Sequence, residues 1–94
     1  MAYVDPNTVI SPKNHWRLLN VLYEDDEDGW SVAEGQWEHG GRWSDVLAIR
    51  WNGSPHAKLG HPQSRGLPTW FIIPEGLEEV IRERVDELKK AKIS

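Results

Sequence analysis

The side chains able to do chemistry in this chain are few. It has four histidines and no cysteine, so thiolate catalysis, disulfides and cysteine metal sites are excluded. Nucleophilic catalysis would start from Ser31, Ser44, Ser54 or Ser64, yet none sits in a G-x-S-x-G elbow or a comparable strand-turn-helix context. His15, His39, His56 and His61 are not spaced from any acid so as to form a recognisable acid–base pair. His56 and His61 lie five apart in one loop, whereas a zinc site needs three or four convergent ligands. The acidic run "EDDEDG" lacks the alternating oxygens and distal glutamate of a calcium-binding EF-hand loop. Gly60 and Gly66 form neither phosphate-cradle motif. These residues predict no enzyme, no metal and no cofactor.

What remains is a set suited to binding. "GSPHAKLGHPQSRGLP", Gly53 to Pro68, holds Lys58 and Arg65 and no acidic residue in a chain of net charge −4. Arg42 and Arg50 precede it, and Trp37, Trp43 and Trp51 lie near by in sequence. Exposed aromatics beside Lys and Arg can stack bases and follow a phosphate backbone. The bland alternative is that each Trp is core, since a tryptophan brings a large apolar area. Loops this long are uncommon unless functional or disordered, so the segment is expected to face a ligand or partner. The alternative is that it covers a sheet edge, with Gln63 or Ser64 paired to backbone and Arg65 to a helix carboxylate.

The elements that must position these residues can be read from patterning. Residues 1–14, with Pro6, Pro12, Asn7 and Asn14, read as an extended or frayed arm that Val9 and Ile10 can pin to a sheet. A single domain over 15–92 follows. "HWRLLNVLY" predicts a central strand covered on both sides, with Arg17, Leu19, Val21 and Tyr23 opposite Trp16, Leu18, Asn20 and Leu22. "WSVAEGQWE" alternates as a half-exposed strand in which Gly35 marks a bulge. "WSDVLAIRW" is a third strand and "TWFII", Thr69 to Ile73, a fourth. The C-terminal segment has helical period, with Leu77, Val80, Ile81, Val85 and Leu88 on one stripe and Glu-rich start and Lys-rich end matching the macrodipole. Glu78 to Arg82 and Asp86 to Lys90 are favourable pairs four apart.

The predicted fold is therefore α+β: a four-stranded antiparallel meander closed by one C-terminal amphipathic helix. One helix covers one face, which leaves a Trp-bearing face for water, a partner or a second copy. Ninety-four residues make one small core. No apolar run is long enough to cross a membrane and no secretory leader is evident, so a soluble cytoplasmic protein is expected. "EDDED", Glu24 to Asp28, holds five of the fifteen carboxylates; without it the rest of the chain is close to neutral.

The meander with its closing helix, "LAIRW" (Leu47 to Trp51), "SRGL" (Ser64 to Leu67) and "PEGLEEVIRERV" resemble the positive cofactor four (transcriptional coactivator p15) family, which includes small bacterial members. Ala48 stands where that family often has an acid, and the loop is longer. The block "LAIRWNG…GHPQSRGLPTWFIIPE" is also similar to one in small bacterial proteins without an assigned role. The coactivator resemblance implies a homodimer whose paired sheets bind single-stranded DNA or RNA. Arg50, Lys58 and Arg65 would then contact phosphates, while Trp51 and Trp37 stack bases. A competing expectation is an acidic protein-interaction module of phage or plasmid type, in which Glu24 to Asp28 steer a basic partner and Trp30 or Trp37 anchors it.

Overall fold

The computed structural model describes residues 3–93. Turn chemistry sets the order of its strands. β1 (Trp16–Asp25) and β2 (Trp30–His39) are joined through the acidic turn, where Gly29 takes φ +70° and donates to the Asp25 carbonyl at 2.8 Å. β2 and β3 (Arg42–Trp51) are joined by Gly40 and Gly41, at φ +60° and +83°. Two successive positive φ values make the tight turn whose twist matches flanking strands. The chain then forms a small hairpin, β4 (Gln63–Ser64) and β5 (Leu67–Pro68), before β6 (Phe71–Ile72) returns to the sheet. A 3-10 turn at Glu75–Leu77 leads into α1 (Glu78–Ile93). The main sheet is antiparallel with order β1-β2-β3-β6, the predicted meander with its closing helix.

Three expectations about the strands are corrected. β1 is an edge, not a central strand. Its register slips between Leu18 and Asn20 and again between Val21 and Tyr23. Each extra residue reverses the alternation, so Trp16, Leu18 and Val21 join one cluster while Tyr23 joins the other. β2 runs in regular register with β3, and the bulge expected at Gly35 lies on the facing strand, beginning at Leu18, which pairs with Gly35. The missing Cβ of Gly35 makes room for the Trp16 ring and the Arg17 carbonyl. The fourth strand shrinks from Thr69–Ile73 to Phe71–Ile72, because Thr69 N–H turns away to the Pro62 carbonyl at 3.0 Å. Ile73 still donates to Leu47 at 2.9 Å.

β2 is the strand buried on both faces, with Ser31, Val32 and Ala33 successively inaccessible. On one face Trp16, Ala33, Ala48 and Trp70 pack with Val9. The N-terminal segment is thus a strap rather than a frayed arm; of the predicted 1–14 arm, residues 1 and 2 lie outside the described residues. Val9 is fully buried, and its carbonyl accepts the indole N–H of both Trp70 (2.8 Å) and Trp16 (3.4 Å). Val4 donates to the Asn52 carbonyl at 2.7 Å. Asp5 caps the turn Pro6–Thr8 by accepting from Asn7 N–H at 2.9 Å. Ile10 stays exposed. The face expected to be open is covered by the chain's own start.

On the other face α1 packs Val85, Ile81 and Leu88 against Tyr23, Val32, Leu47 and Ile73. Leu77 and Val80, expected on the buried stripe, are 53% and 63% exposed. Arg82, expected to pair with Glu78, reaches Glu34 on β2 at 2.9 Å instead. Lys92 donates to the Glu24 carbonyl at 2.9 Å and lies 4.6 Å from the Tyr23 ring centre. No helix of the described residues is long and apolar enough to cross a membrane.

Candidate functional site

Arg50 organises the long loop. Its position on β3, opposite Ser31, is buried, with only 3% of the residue accessible. The guanidinium donates to the carbonyls of Leu59 and Thr69, one before and one after the small hairpin. No carboxylate is among these partners, and burial pushes the guanidinium down to about 10, still charged at neutral pH. This corrects the phosphate-contact expectation: Arg50 is spent on holding its own loop. Gly60 permits it, because a Cβ there would collide with the Trp51 carbonyl and the Arg50 guanidinium. Asn52, also buried, donates from Nδ2 to Ser31 Oγ at 2.7 Å and from its backbone N–H to the Gly29 carbonyl at 2.6 Å.

The rest of the segment is ordered by local bonds. Ser54 and Ala57 exchange two backbone bonds of 3.1 Å. His61 and Trp51 do the same at 2.8 and 3.0 Å, which extends the sheet by one bridge. Arg65 (φ +53°) and Gly66 (φ +78°) form the two-residue turn of the β4–β5 hairpin, and Arg65 is exposed at its tip. Gln63 donates to the Gly60 carbonyl at 3.1 Å. Lys58, His56 and His61 are exposed.

The sequence-predicted site residues do not converge. Arg42 and Trp51 sit at opposite ends of β3, about 30 Å apart at strand rise. Trp37 lies opposite Trp16 on the strap-covered face and packs against His15 with ring centres 5.7 Å apart. Trp51 pairs with Trp30 on the helix face and is 56% exposed. Trp43 carries Arg17 over its ring at 3.8 Å. Trp51, Lys58 and Arg65 are each exposed, at the end of β3 and in the loop that follows it, and Arg42 and Trp37 belong to the other end of the strand pair. Among the described residues no three His, Cys, Asp or Glu side chains gather as metal ligands do.

A feature that the sequence did not disclose lies on the helix face. A helix is about 10–12 Å across and strands are spaced about 4.8 Å, so one helix spans roughly two strands. Arg82 and Lys92 fasten α1 over β2 and β1. The β3 side is left with a groove of about 770 Å³. Val32 and Ile49 are among its sheet-side lining, flanked by Trp30, Trp51 and Phe71. Ile81, Arg84, Val85 and Leu88 make the helix wall; His61, Pro62 and Gln63 make the loop wall. Arg50 is the remaining lining residue. The lining is overwhelmingly apolar, its only ionisable residues are Arg50, His61 and Arg84, and it includes no carboxylate. Trp51 and Phe71, at its edge, remain more than half exposed.

At the opposite end, His15 Nδ1 lies 2.6 Å from Glu38 Oε1, and Gly41 N–H donates to Glu38 Oε2 at 2.6 Å. The Gly41 bond first, then His15, holds the Glu38 carboxyl below its ordinary range. Glu24 is displaced the other way, by desolvation and by the neighbouring Asp26 and Asp5.

Fold and site together define a small α+β domain with a strapped sheet and an apolar, aromatic-walled groove. Comparison with protein-family models, curated proteins and solved structures gives no match. The coactivator resemblance thus rests on the quoted residues alone.

Proposed function

We propose that the protein is a non-enzymatic binding domain that holds the apolar part of a ligand in the groove between α1 and β3. The observation that carries this reading is the groove, whose volume of about 770 Å³ falls within the roughly 300–1,000 Å³ of small-molecule sites. Aromatic side chains that stay accessible beside such a hollow are the usual anchors of recognition. N-phenyl-1-naphthylamine, a neutral fluorescent probe, tests it directly. The probe should bind saturably at one per chain, and Trp51→Ala, at an exposed position, should weaken it by roughly fivefold. Non-saturable partitioning, or affinity indifferent to Trp51, sinks the reading.

Single-stranded nucleic acid is the second reading, favoured by exposed Trp51 followed by exposed Lys58 and Arg65 in an acid-free segment. It expects anisotropy of a labelled oligonucleotide to rise on titration, more at low salt than at physiological salt. A Lys58→Ala/Arg65→Ala double variant should lose most of that rise. Binding unaffected by this variant would remove the reading.

A further inference from the structure

We infer that the occupant of the groove is an amphipathic anion: an apolar body with a single carboxylate at one end. The inference rests on the groove reading above and adds the charge of the ligand. The chain is acidic as a whole, yet it has no Asp or Glu between Asp45 and Glu75. That acid-free stretch supplies Ile49, Trp51 and Phe71 as well as the His61–Gln63 wall. Its one buried charge, Arg50, has carbonyl partners and no counter-carboxylate. The two carbonyls take hydrogens from Nη1 and Nη2, the buried Nε has no partner, and the net charge is left uncompensated; a low-dielectric wall transmits that charge further than water does.

The helix wall adds a cation that can move. Arg84 is bound only to Glu87, one turn along, at 2.9 Å, with both side chains about two-thirds exposed. Exposed pairs of this kind contribute little, so Arg84 can turn to an incoming carboxylate at small cost. Glu87 does not line the groove, nor do Glu78, Glu79, Glu83 or Asp86 on the same helix. Every ionisable group that lines it is basic. A neutral apolar ligand would leave that asymmetry unused, and a cationic one would oppose it.

The test displaces N-phenyl-1-naphthylamine with three molecules of one chain length, dodecanoate and dodecyltrimethylammonium below their micellar concentrations and dodecanol below its solubility limit. Dodecanoate should displace the probe at a concentration at least about tenfold below the ammonium compound, attraction of one head group and repulsion of the other each contributing severalfold. The alcohol should fall between. Arg84→Gln with His61→Gln should close most of that gap, while Arg42→Gln, at the far end of β3, should leave it intact. Probe binding and circular dichroism of each variant report whether groove and fold survive.

Equal displacement by all three compounds overturns the inference and leaves the groove reading standing. No saturable probe binding overturns both. Displacement by a single-stranded oligonucleotide, or by self-association as protein concentration rises, at concentrations below those needed for dodecanoate, overturns it in favour of that occupant.

Discussion

A buried guanidinium tied to two carbonyls is the residue on which the loop depends. Arg50 presents a planar fork that reaches Leu59 and Thr69 together; a lysine ammonium is a single point with different reach. Arg50→Lys should therefore cost about 2–4 kcal/mol, from one or two buried carbonyls left without a donor and a charge buried less well. Urea unfolding checks it: the midpoint should fall with little change in slope. A midpoint within error of the wild type would mean that the loop is held by other bonds. The coactivator resemblance implies a phosphate contact for Arg50, whereas its burial gives the guanidinium to two carbonyls of its own chain. Which side of a strand end lies under a later loop depends on the return path of the chain, and no local pattern encodes that. Lys58 and Arg65, expected as charged contacts of the loop, are both exposed, and Arg65 is so because it occupies a turn whose partner glycine takes positive φ.

At the scale of elements, the two ends of the sheet respond oppositely to acid. Glu38 closes the β2–β3 turn by accepting from Gly41 and meeting His15 ahead of β1. Its carboxyl is held below 4.5 in the fold, so the stability it contributes is present above that pH and lost as pH falls through the folded value. Glu24, near the acidic turn, is raised above 4.5 by desolvation, Asp26 and Asp5. Its contribution has the reverse sign: present when protonated, lost as pH rises through the folded value. At pH 7 Glu38→Gln should lower Tm and Glu24→Gln should raise it, each by the small shift typical of surface sites. Well below pH 4.5 both variants should melt with the wild type. Melting curves at pH 7 and pH 3 decide it, and a same-sign shift at pH 7 contradicts the assignment.

The elements themselves were legible where local pattern determines structure. The face assignments in β2 and β3 survived, because the two strands pair regularly with each other over ten residues, but β2, expected to be half-exposed, is buried on both faces at Ser31 to Ala33. The Gly40–Gly41 turn suits its residue types, since glycine takes two successive positive φ values without strain. β1 did not follow, because both faces of the stretch carry mostly apolar residues, so two extra residues leave no mark on hydropathy yet exchange the faces. The helix position followed from its period, but not the exposure of Leu77 and Val80, which depends on how far across the sheet one helix extends.

At the scale of the whole molecule the N-terminal strap decides what kind of surface the protein has. A four-stranded sheet with one helix leaves an apolar face, and the usual remedy is a second layer from a partner. Here the strap provides it: Val9 fills the gap over Ala33 and Ala48, while its carbonyl serves two indoles from distant parts of the chain. Val9→Ala keeps the carbonyl and removes only methyl groups, so it should cost about 1–3 kcal/mol. Deleting residues 1–10 removes the carbonyl as well. The indoles of Trp16 and Trp70 then lose their acceptor, each buried unpaired donor adding about 1–3 kcal/mol unless water reaches it. Since small domains have only about 5–15 kcal/mol in total, the deletion should unfold the protein or drive two exposed faces together. Sedimentation with near-ultraviolet circular dichroism separates the outcomes. A folded monomer of wild-type stability would show that the strap merely rests on the sheet. A folded dimer would show that the strap is what keeps that face from pairing, and probe binding in the groove on the opposite face should survive it.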